Sequence, residues 1–152
     1  MKLAEALLER KNLKTKVENL RGRAVQNALV QEGDAPSEAP AELLREMDEA
    51  VEQLGVLIRR INATNNVTPV PNGMTVSDAI VQRDMLDLCH LALQVVLNKT
   101  AVRQERLTRA EIKFVPTVNV VEMRRESDAV AQARRELDAQ IQAVNWSADL
   151  VG

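Results

Sequence analysis

Residues 85–97 read MLDLCHLALQVVL. In these thirteen residues only Asp87, His90 and Gln94 are polar. Together with Arg83 and Asn98 they fall at successive steps of four, three, four and four. That spacing puts all five on one narrow line of an α-helix. A helix that is apolar around the rest of its circumference is expected at the centre of an all-helical domain, with its polar line towards water. The stretch therefore predicts a long helix over 76–105, opened by Thr75 or Ser77, with Asp78 three residues after Thr75 as in a capping box.

The flanking sequence supplies three more helices. Leu3, Ala6, Arg10, Leu13, Val17, Leu20 and Ala24 alternate in steps of three and four and predict a helix over 2–28. The stretch QEGDAPSEAP (31–40) breaks it, because Gly33, Pro36 and Pro40 oppose helix continuation. Pro40 suits a first turn, and Leu44, Met47, Val51, Leu54, Ile58 and Ile61 continue as a helix over 40–63. Val120, Met123, Ser127, Val130, Arg134, Leu137, Ile141 and Val144 predict the last helix, over 118–146. Asn72-Gly73 is a strong turn dipeptide and supports a short hairpin within 66–76. The β-branched stretch around Pro116 reads as extended chain at 110–117. The expected architecture is all-α: an antiparallel four-helix bundle with long, coiled-coil-like helices, residues 1–152 forming one domain.

Composition narrows the function. The chain has 152 residues and a formal net charge of −2. Phosphate-backbone binding wants a basic excess, and base stacking wants aromatic faces. Phe114 and Trp146 are the only aromatic residues, so no nucleic-acid partner is expected. A single cysteine, Cys89, precludes an intrachain disulfide and fits a reducing compartment. Glu5 and Glu9 interrupt any apolar core of an export signal, so a cytoplasmic location is expected and the sequons at Asn62, Asn66, Asn98 and Asn145 read as unglycosylated. No apolar run approaches the ~20 residues that cross a bilayer, so no integral membrane segment is expected.

An up-down-up-down path gathers the start of the first helix, the end of the second, the start of the third and the end of the fourth. That end collects Asn62, Thr64, Asn65, Asn66, Arg83, Asp84, Asn145 and Trp146. Arg10 and Asp84 interrupt apolar stripes at a similar height. Asp84 is expected to be buried and paired with Arg10 or Arg83, because an unpaired buried charge is costly. Arg10, Asn62, Asn65, Asn66, Arg83, Asp84, Asn145 and Trp146 form either an architectural registry device or a candidate ligand site. Asp87 and His90 have half of a metal-site spacing, but His90 is the only histidine and the pair reads as solvent-facing. Cys89 reads as a small core residue. No catalytic residue, metal ligand or cofactor motif emerges.

At these same residues the chain resembles the septicolysin-like family of small bacterial proteins. The stretches that carry the likeness are LAEALLER (3–10), VQEG (30–33), LIRRINATN (57–65), SDAIVQRD (77–84), EIK (111–113) and LDAQIQAVNW (137–146). The stretch RLTRAEIK (106–113) lacks the aromatic residue that the family carries close before EIK. The resemblance implies a helical bacterial protein and transfers no catalytic residue. Its name implies cytolysis, yet residues 85–97 would cover only about 20 Å of a ~30 Å hydrocarbon core. Three functions stay open: a non-enzymatic, self-associating helical protein, with Leu7, Leu8, Leu43 and Leu57 widening its apolar stripes; a small-ligand or enzyme-like module at the asparagine-rich end; and a pore former. The first, a homo-oligomer, is the leading expectation.

Overall fold

The computed structural model describes residues 1–101 and 113–152. It is all-α, with four helices: α1 (Leu3–Asn27), α2 (Pro40–Val67), α3 (Val76–Thr100) and α4 (Val120–Ser147). The chain divides into two compact units, Met1–Pro69 with Gln142–Gly152, and Val70–Ile141. The expected continuation of the third helix beyond residue 101, and residues 110–112 of the expected extended stretch at 110–117, lie outside the described residues. Residues 113–119 are non-helical, and the Asn119 side chain then accepts from the Glu122 amide at 3.1 Å to open α4.

In the first unit α1 and α2 form an antiparallel hairpin. Leu3, Ala6 and Leu13 cluster with Leu57 and Ile61, while Leu20 and Ala24 cluster with Leu43. Every residue of the α1 stripe is buried or half-buried, as its spacing predicts. The α2 stripe is rotated by about one residue. Leu43, Ala50, Leu57, Ile61 and Thr64 are buried, whereas Leu44 and Val51 are nearly half exposed. Leu43 and Leu57 are thus consumed by the hairpin itself and do not widen an outer face.

The second difference in α2 is its length. It runs through Asn62, Asn65 and Asn66 to Val67 instead of closing near residue 63. Asparagine and threonine are weak helix formers, but packing overrides propensity here. Thr64, one turn beyond Ile61, is fully buried, and its hydroxyl donates to the Arg60 carbonyl at 2.8 Å. Pro69 sets the stop: Thr68, the residue before it, is extended at φ −88° and ψ 121°.

The end of the chain closes this unit. The Leu3 amide donates to the Ala148 carbonyl at 3.0 Å, and the Leu150 amide donates to the Met1 carbonyl at 2.9 Å. These bonds flank an antiparallel bridge between Lys2 and Asp149 and set Leu150 into the cluster of Leu3, Ala6 and Ile61.

In the second unit the expected turn is present. The Gly73 amide donates to the Val70 carbonyl, and the Val70 amide to the Met74 carbonyl, both at 2.8 Å. Pro71 and Asn72 occupy the middle of the turn, and Gly73 has φ 90°, a conformation that suits glycine. Thr75 caps α3 as predicted: its hydroxyl accepts from the Asp78 amide at 3.0 Å and donates to the Asp78 carboxylate at 2.9 Å.

The orientation of α3 reverses the expectation. Its buried residues are Val76, Ala79 and Leu97. Val81, Met85, Leu88, Leu91 and Val95 are 47–60% exposed, so the most apolar helix is not a buried centre. Cys89 is exposed as well. The polar line faces α4 instead.

Leu3→Ala is expected to destabilise the protein by about 2–5 kcal/mol, and Leu150→Ala by the lower part of that range, because both side chains fill one cluster. Leu8, which is exposed, should tolerate alanine within about 0.5 kcal/mol. Chemical denaturation followed by circular dichroism reads all three.

Candidate functional site

Three of the four helix ends expected to converge lie in the first unit: the start of α1, the end of α2 and the end of α4. Backbone and side-chain bonds tie them together. The Thr64 hydroxyl accepts from the Val151 amide at 3.0 Å, and the Arg60 guanidinium donates to the Val151 carbonyl at 3.0 Å. Lys2 donates to the Ser147 carbonyl at 2.9 Å and pairs with Asp149 at 2.8 Å. The hydrogen bond from Lys2 holds the Asp149 carboxyl below its ordinary range. The folded value lies below the unfolded one, so this pairing is complete above the carboxylate range and fades as pH falls through the folded value.

The asparagines contribute less than their clustering in sequence suggests. Asn62 and Asn66 are exposed, Asn65 is half-buried, and all three continue the helix. Asn145 is buried, while the neighbouring Trp146 is 70% exposed. Arg10 is half-buried within the α1 stripe. The residue that organises the junction is Thr64, whose i,i+3 position after Ile61 on the α2 seam was the available signal.

Arg83 and Asp84 belong to the second unit. Asp84 is not buried: its side chain is 54% exposed and lies 3.2 Å from Arg83. Its ridge neighbours Leu88, Leu91 and Val95 are exposed too, so Asp84 interrupts an outer face and meets no buried-charge penalty. Arg83 turns the other way and donates to Asp138 of α4 at 3.0 Å. Partial burial opposes the Arg83 charge, but hydrogen bonds to Asp138 and Asp84 outweigh it and raise the guanidinium above its ordinary range.

Two further rungs continue this polar seam. Arg134 donates to Asp87 at 2.9 Å, and Gln94 donates to the fully buried Ser127 at 2.8 Å. Each advance of four or seven residues along α3 is matched by an equal retreat along α4, which fixes an antiparallel register. Arg83, Asp87 and Gln94 therefore serve packing, while Asp87 and Asn98 keep the exposure expected of the polar line. His90 is half-buried on the same line.

What remains open is the opposite side of α3. Val81, Met85, Leu88, Ala92 and Val95 recur at steps of four, three, four and three, with Leu91 and Val96 on the flanks. Contiguous exposed apolar stripes of this kind mark interaction surfaces. This face is the strongest candidate functional surface among the described residues. Of the described residues, no group of histidine, cysteine and carboxylate side chains is placed to hold a metal. No helix among them is long and apolar enough to cross a membrane.

Arg83→Ala should cost about 1 kcal/mol by removing the nearer partner of the half-buried Asp138, which keeps only Arg134 at 3.9 Å. A double-mutant cycle with Asp138→Asn should recover most of that coupling, read by denaturant midpoints.

Residues 10–150 match a family described as a family of unknown function, DUF6847. No curated protein matches the chain. Among solved structures, the chain is similar to the crystal structure of a functionally unknown conserved protein from Corynebacterium diphtheriae. The two share 39% sequence identity over 99% of each chain, with a TM-score of 0.91.

Proposed function

We propose that this chain, which belongs to the DUF6847 family of unknown function, is a non-enzymatic protein that works as a self-associated helical assembly in the cytoplasm. The observation that carries the reading is the inverted α3, with its polar line spent on α4 and its apolar face open. These side chains are about half exposed, so covering each contributes roughly 1 kcal/mol, and a row of five drives association. The location rests on the single unpaired cysteine. The septicolysin-like resemblance is compatible with such an assembly. A pore-forming role finds less support, since no described helix is long and apolar enough to cross a membrane.

Sedimentation velocity at low micromolar concentration is expected to give at least a dimer. Leu88→Glu, at the middle of the face, should shift the protein to monomer while leaving its helical circular dichroism intact. A monomeric wild-type protein overturns the reading.

A second reading keeps a small-ligand site at the end of α4, and the exposure of Trp146 beside the buried Asn145 favours it. It requires a bound small molecule to copurify with the protein and change the emission of this only tryptophan. Emission unchanged after denaturing extraction and refolding removes it.

A further inference from the structure

The apolar face of α3 carries two opposite charges, Asp84 between Val81 and Met85 and Lys99 in its last turn. Both lie on the same side of the helix as Leu88, Ala92 and Val95, and both are exposed. They stand equally far from the Leu91–Ala92 peptide. From these positions we infer that the partner seated on this face is a second copy of the chain, with α3 packed antiparallel against its counterpart about a two-fold axis at Leu91–Ala92. This inference rests on the self-association proposed above and specifies its geometry.

Two symmetric pairings compete. In a parallel, in-register pair each charge meets its own copy, Asp84 against the partner's Asp84 and Lys99 against the partner's Lys99, and like charges at an interface are costly. In the antiparallel pair each Asp84 meets the partner's Lys99, so the pair gains two opposite-charge contacts. Leu88 then lies across from the partner's Val95, and Leu91 across from the partner's Ala92. The large Leu91 faces the small Ala92 at the axis, where the backbones come closest. The surface is self-complementary in the manner of an isologous contact, which closes at two copies. The exposed Arg83–Asp84 contact within one chain joins adjacent residues on the rim of the face and leaves the outer side of the Asp84 carboxylate available.

The geometry makes cross-linking decisive. In the antiparallel pair the two copies of residue 92 are adjacent along the helix axis, whereas the two copies of residue 85 are about 20 Å apart at 1.5 Å per residue. Ala92→Cys and Met85→Cys, each in a Cys89→Ser background, are exposed positions that should leave the fold intact by circular dichroism. Under mild oxidation Ala92→Cys is expected to form a covalent dimer and Met85→Cys is not. Dimers from both variants, or from Met85→Cys alone, overturn the antiparallel pairing, and so does failure of Ala92→Cys to cross-link while the wild-type protein sediments as an oligomer. A wild-type monomer would instead defeat the self-association on which the pairing rests. As a charge test, Asp84→Lys should weaken association about tenfold or more, and adding Lys99→Asp should restore it to within about threefold. No weakening by the single change, or no restoration by the double, also counts against the arrangement.

Discussion

The second unit depends on one constraint: the polar line of α3 is spent on α4. Arg83 with Asp138, Asp87 with Arg134, and Gln94 with Ser127 form three rungs along one antiparallel register. Withdrawing Arg83, Asp138, Gln94 and Ser127 from water is costly unless each finds its partner, and here each does, while Asp87 and Arg134 stay partly exposed. Once that line faces inward, helical geometry leaves the opposite side of α3, the apolar one, facing out. The unusual surface therefore follows from the unusual interior.

The first unit follows the more ordinary rule. An apolar stripe on α1 meets one on α2, and the C-terminal segment lays Leu150 over the open end of the pair. Thr64 links the two parts of this closure, donating to its own helix and accepting from Val151. A residue that looks like loop composition in the sequence thus acts as a fastener between α2 and the chain end.

Much of this was legible from spacing. The stripes of α1 and α4, the proline start of α2, the Thr75 cap and the Asn72-Gly73 turn all follow from local rules, and the structure places them as expected. The reading of α3 inverted because periodicity reveals that a helix has two unlike faces without revealing which one meets its neighbour. Apolar content normally decides that, and here charge pairing with α4 decided it. The α2 stripe slipped by one residue because Leu43 and Leu44, like Leu57 and Ile58, are adjacent and equally apolar. For the candidate site, the sequence singled out Asp84 and Arg83 as departures from pattern but misplaced Asp84, since a charge within an apolar ridge signals burial only when the ridge is buried. The asparagines near residue 62 gave no signal that packing of Thr64 would keep them helical.

The account turns on whether the outward side of α3 is covered by another copy in solution. Isotope-filtered NOE spectroscopy on a mixture of methyl-labelled and unlabelled protein addresses that contact directly. The account predicts intermolecular NOEs from the methyls of Leu88, Leu91 and Val95 to protons of α3 in the other copy. The absence of such NOEs, with those same methyls fully relaxed by a soluble paramagnetic probe, would contradict it.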